Sequence, residues 1–177
     1  MTQVENNKVV KTGMVIGVIA TLFLFVLLYI VSPKFSHEVE LLHRIKLAIA
    51  CLVFPTAFFL VTIVRVGLQR FGNPSDNPLL VVANSNAMAV NLRVLSNTHE
   101  QVVLFALTTL ALSVLLPFNY LSLLPIYSAI FFIGRIIFWL AYKHNPLWRA
   151  PGFAMSILPA VAGLGYSCVA VVMRLIL

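Results

Sequence analysis

Apolar residues run in five long blocks, at about 13–31, 45–67, 93–117, 122–142 and 152–176, with short polar breaks between them. Each block reaches the ~20 residues that a helix needs to cross a bilayer, so the pattern predicts five transmembrane α-helices. The breaks are rich in turn formers: "SPKFSHEVE" (32–40), "FGNPSDNP" (71–78), "PFN" (117–119) and "KHNPLWRAPG" (143–152). Pro55, Pro125 and Pro159 fall inside blocks and predict kinks whose freed carbonyls neighbouring helices can satisfy. The third block starts least sharply. Its apolar run proper begins at Val102, but helix-compatible residues without Gly or Pro reach back to Asn84, which predicts a helix projecting beyond the membrane. On the fifth block the small residues Ala160, Gly163 and Gly165 suggest a surface for close packing between subunits.

The first block follows Lys8 and Lys11, as a signal peptide would, but its apolar core exceeds the usual ~7–15 residues and "YIVSPKF" offers no small-x-small cleavage site. It reads as a retained anchor. The domain organisation that follows is an N-terminal tail, extra transmembrane helix and loop over residues 1–44, and a four-helix membrane domain over residues 45–177.

Composition agrees with the pattern. Of 177 residues 61% are hydrophobic and 10% charged, and a mean hydropathy of +1.01 excludes an ordinary soluble domain. The net charge of +7 comes from basic residues scattered singly at block ends, which argues against a nucleic-acid partner and for topology signals. Lys8, Lys11, Arg65, Arg70, Arg93, Lys143 and Arg149 fall on one face of the membrane, and Lys34, Arg44, Lys46 and Arg174 on the other. The richer face is predicted to be cytoplasmic, with the N-terminus on that side and the C-terminus opposite. Cys51 and Cys168 read as buried apolar thiols. His37, His43, His99 and His144 lack metal-ligand spacing and no GxSxG motif occurs, so neither a metal site nor a serine hydrolase is predicted. Nor do inverted repeats or paired broken helices suggest a transporter.

Arg135 alone belongs to neither face, and an arginine inside a span marks a functional-site hypothesis. On block three Arg93, Asn97 and Glu100 fall within about 60° of one another, forming a polar stripe with Gln101 at its margin and His99 turned away. On block four Ser128, Phe131, Arg135, Phe138 and Tyr142 share a face. Antiparallel packing of the two blocks sets Arg135 and Glu100 at similar depth, where they can pair. Arg65, Arg93, Asn97, Gln101, Tyr142 and Arg149 gather at the same end and supply more donors than one carboxylate can use, which points to an anionic ligand.

Arg93-x-x-x-Asn97-x-x-Glu100, then Gly134-Arg135, Tyr142 seven residues on and Arg149 seven more, resembles the MAPEG family, the membrane-associated proteins of eicosanoid and glutathione metabolism. "LQRFGNPSDN" also looks like the polar loop joining that family's first two helices. The resemblance implies an all-α four-helix membrane bundle over 45–177, to which the first block adds a fifth span. It further implies a homotrimer with glutathione bound between neighbouring subunits at the cytosolic end. Arg93, Asn97, Glu100 and Tyr142, with Arg65, would hold glutathione as co-substrate, Arg135 and Gln101 would support them, and Arg149 would be the catalytic arginine beside the thiol. The implied activity is a glutathione-dependent transferase or peroxidase acting on lipophilic electrophiles or lipid hydroperoxides. The chain departs from the pattern at Leu95, where members often show His or Gln, and at Gln101 and Phe138, where several carry Tyr. These departures keep a second reading in view, a non-catalytic protein of this type that binds membrane lipids or scaffolds partners.

Overall fold

The structure is a computed structural model that describes residues 3–73, 76 and 85–176. Five α-helices carry it: α1 (Gln3–Val31), α2 (Leu41–Gly72), α3 (Asn86–Leu115), α4 (Leu123–His144) and α5 (Ala150–Ile176). Each is long and apolar enough to cross a membrane, and no strand occurs among the described residues. The fold is an all-α membrane bundle of five spans.

The helices run past the apolar blocks because their polar flanks are helix-compatible too. α3 begins at Asn86, where the Ser85 side chain accepts from Met88 N at 3.2 Å, an N-cap that starts the helix there. Asn84, and Pro74, Ser75, Asn77 and Pro78 of the 71–78 turn stretch, lie outside the described residues. Pro55 and Pro159 lie inside continuous helix. Pro125 does not kink its span: it occupies the first turn of α4, where its missing N–H breaks no helical bond. The "PFN" reversal is a short 3-10 helix, Phe118–Tyr120. The "KHNPLWRAPG" break is another, Pro146–Arg149, started by Asn145 Oδ1 accepting from Leu147 N at 3.0 Å and leading directly into α5.

α4 is the centre of the bundle. Phe105 of α3 stacks on Phe131 at 4.4 Å between ring centroids, and Phe58 of α2 meets Trp139 edge-on at 5.9 Å. α5 approaches α4 so closely that a Cβ on Gly152 would overlap the Phe138 backbone, and one on Gly134 would lie 2.8 Å from Ser156 N. At the far end Arg44 donates to the terminal carbonyl of Leu116 at 2.9 Å and to Val39 O at 2.8 Å, a cation on the open C-terminus of α3.

Two expectations are corrected. Gly163 and Ala160 do not form an outer face: both are buried within the chain, with Gly163 against Thr108 and Leu112 of α3, while Gly165 alone meets open space. Of the two thiols only Cys51 is buried; Cys168 is exposed on α5.

Candidate functional site

The polar residues of α3 sort by helical angle. Taking Arg93 as zero, Asn97 lies at about +40°, Gln101 at about +80°, Val94 at about +100° and Thr98 at about +140°, whereas Glu100 lies at about −20°. Val94, Thr98 and Gln101 are buried and Glu100 is exposed, so the inward face centres near Val94, at about +105°, rather than on the expected stripe.

Arg135 is fully buried at that inward face. Its Nη1 donates to Asn97 Oδ1 at 3.0 Å and to Ser156 Oγ at 3.4 Å, and its Nη2 to Thr98 Oγ1 at 2.8 Å. The guanidinium carbon stands 4.2 Å over the Phe138 ring. The expected Arg135–Glu100 pair does not form. Similar depth brought the two residues level, but Glu100 points about 125° away from the inward face and its Oε1 accepts from Ser96 Oγ at 3.3 Å instead. Gln101, expected at the margin, is inside: its Oε1 takes the Ser156 hydroxyl at 2.5 Å. The close crossing of α4 and α5 at Gly152 is what delivers Ser156 to both partners. Among the described residues Arg135 Nε and Gln101 Nε2 have no hydrogen-bond partner.

Beside this cluster opens a cavity of about 470 Å³. Arg93 and Asn97 line it from α3, Phe138 and Tyr142 from α4, Arg149 from the second 3-10 helix, Ala150 and Phe153 from α5, and Val10 and Met14 from α1. Arg149 is held in place from behind. Its Nη1 donates to Pro146 O at 2.7 Å and its guanidinium lies 5.2 Å over the Tyr142 ring. Two guanidinium groups therefore face one cavity whose other lining residues are neutral, and Asn97 connects it to a third behind the wall. Such a chamber favours an anion, since Arg presents forked donors to carboxylate-like groups. Its volume lies in the range that takes a small-molecule ligand, about 300–1,000 Å³.

Of the residues expected from sequence, Arg93, Asn97, Tyr142 and Arg149 converge on the cavity, and Arg135 and Gln101 stand behind it. Glu100 and Arg65 are not brought in; both are exposed, and neither lines the cavity. His99 lies outside as well, stacked on Phe59 of α2 at 5.5 Å. Sequence reasoning missed Ser156, Thr98, Val10, Met14 and Phe153. The i−4 relation of Ser156 to Gly152 was the available signal for the first, since a small-residue crossing admits a polar neighbour.

A sequence model of the MAPEG family matches residues 45–169. Among curated proteins the chain is similar to transmembrane protein 79 of Mus musculus, 24% identical over 129 residues that cover 68% of this chain and 30% of that protein. The match thus spans under a third of that relative's length. No solved structure matches the chain significantly.

Proposed function

The chain belongs to the MAPEG family, and we propose that within it the chain is a glutathione-dependent membrane transferase or peroxidase whose glutathione site is the two-arginine cavity. The observation that carries this reading is the convergence of Arg93, Asn97, Tyr142 and Arg149 from three separate elements on one chamber. Glutathione brings two carboxylates and a thiol. Arg93 and Asn97 suit a carboxylate, and Arg149, fixed over Tyr142, suits a thiolate. A free thiol has a pKa near 8.5, and lowering it by one unit takes about 1.4 kcal/mol of preferential thiolate stabilisation, within reach of one guanidinium in a partly dry site. The thiol proton leaves to water. The thiolate sulfur then forms an S–C bond to an electrophile dissolved in the bilayer as the leaving group departs with its electron pair. With a hydroperoxide it attacks oxygen, the O–O bond breaks, the lipid leaves as an alcohol, and a second glutathione converts the sulfenic acid to disulfide and water.

The end bearing the cavity is cytoplasmic in this proposal, since the basic residues Lys8, Lys11, Arg70 and Lys143 share it. A homotrimer surrounded by lipid is part of the same reading, supported by Glu100. An acidic side chain exposed partway along a spanning helix is costly against lipid and calls for a protein neighbour. Calorimetry on the detergent-purified protein tests the site: glutathione binds, and Arg93→Ala weakens binding by about tenfold or more. Absence of heat at millimolar glutathione overturns the proposal.

One observation favours a second reading, a non-catalytic lipid-binding or scaffolding protein. With Glu100 turned outward, the cavity presents no carboxylate among the described residues for the ammonium group of glutathione. Turnover of chlorodinitrobenzene that disappears in Arg149→Ala decides against it.

A further inference from the structure

The cavity has two unlike sides. Arg93, Asn97, Tyr142 and Arg149 make one polar, while α1, outside the region the family match covers, supplies Val10 and Met14. Val10, Met14, Gly13, Gly17 and Thr21 recur at helical spacing and so share one face of α1. That face is seated on the first turns of α5 with little clearance. A Cβ on Gly17 would lie 2.5 Å from Pro151 O and 2.7 Å from Ala154 Cβ, and one on Gly13 would lie 3.0 Å from Ala150 Cβ. The contact fixes the depth and rotation of α1, because any other residue at Gly17 forces backbone apart. Val10 and Met14 are thereby held opposite two guanidinium groups rather than turned to lipid.

We propose that α1 is the specificity wall of the cavity, with Val10 and Met14 setting how large an apolar group can accompany the anion held by Arg93 and Arg149. The ligand class that fits is an anion carrying one compact apolar substituent, oriented with its charge toward α3 and α4 and its apolar part against α1. The identity of the anion rests on the glutathione reading above; the wall itself rests on packing alone. Met14 acts here as a gap-filling, adaptable side chain suited to a variable substituent.

The test uses the full chain in detergent with Cys51→Ala and Cys168→Ala as background. Met14→Cys is compared with Val15→Cys, the next residue, which is 57% exposed and turned from the cavity. Each is labelled with an anionic and a cationic methanethiosulfonate. At Met14→Cys the anionic reagent gains about tenfold over the cationic one relative to Val15→Cys, from attraction by the facing guanidiniums. Arg93→Ala with Arg149→Ala abolishes that preference. Equal preference at both positions, or a preference at Met14→Cys that survives loss of both arginines, overturns the proposal. A second arm measures glutathione and S-hexylglutathione binding to Met14→Trp, where overfilling weakens the S-hexyl ligand about tenfold and glutathione little; equal weakening of both counts against the wall. Failure of wild-type protein to bind either ligand sinks the glutathione reading, while the labelling preference still decides on α1.

Discussion

Asp76, in the connection between α2 and α3, and Arg135, midway along α4, are both buried charges, and the bundle treats them in opposite ways. Asp76 is 1% exposed and accepts four hydrogen bonds, one at Oδ1 and three at Oδ2. Its Oδ1 accepts from Ser85 N at 2.8 Å; its Oδ2 accepts from Ser85 Oγ at 2.9 Å, Asn73 Nδ2 at 3.0 Å and Gln69 Nε2 at 3.1 Å. Gln69 is itself anchored by Asn91 Nδ2 at 2.5 Å. Among the described residues Arg135 has three neutral hydrogen-bond partners and an aromatic face, and its Nε is left over, as is Gln101 Nε2 nearby. A charge answered by several donors ties Gln69, Asn73 and Ser85 together. A cation held only by neutral groups, one of which lines a cavity, keeps a net field there.

The largest effect is expected at the cation. Arg135→Ala leaves Asn97, Thr98 and Ser156 without their shared donor and opens a void, a loss of about 3–5 kcal/mol that lowers the apparent Tm in detergent. Arg135→Met, which fills the space without the charge, recovers much of the stability but not glutathione binding, because Asn97 is no longer oriented. If Arg135→Met restores both, the cation is merely structural and the contrast with Asp76 collapses.

At the loop the effects are smaller and local. Ser85→Ala removes the cap on Met88 N, worth about 1 kcal/mol, and speeds hydrogen exchange in the first turn of α3 while leaving the cavity intact. Asp76 adds a pH signature. Burial by itself would raise its pKa, but the bonds from Ser85, Gln69 and Asn73 outweigh it and hold the carboxyl below its ordinary value. The stabilisation is therefore fully present above the unfolded carboxylate pKa near 4 and is lost as pH falls through the lower native value. Protection from exchange at the start of α3, corrected for the intrinsic rate, should fall on acidification in the wild type, and Asp76→Asn should remove that dependence.

Hydropathy made the five spans legible, because burial in lipid demands apolar length whatever the packing. Helical angle correctly joined Arg93 to Asn97, and the recurrence of Tyr142 and Arg149 placed them at the same end. It failed for Glu100 because angle within α3 says which residues share a face, not which face turns inward. That is decided by α4 and α5: the Gly152 crossing brings in Ser156, which draws Gln101 rather than Glu100 to the centre. Arg65 was grouped with the site by depth alone, and depth is common to every residue around the bundle. The α1 wall was invisible for a related reason. Val10 and Met14 belong to an apolar helix like any other until Gly13 and Gly17 seat them against α5.

The most direct measurement is the ultraviolet difference absorbance of glutathione bound to the protein in nanodiscs, titrated with pH. A thiolate band present near neutral pH, titrating below the free thiol value of about 8.5 and lost in Arg149→Ala although that variant still binds, is the predicted result. Glutathione that binds with an unshifted thiol, or does not bind at all, contradicts the assignment of the Arg93–Arg149 cavity as a thiol-activating site.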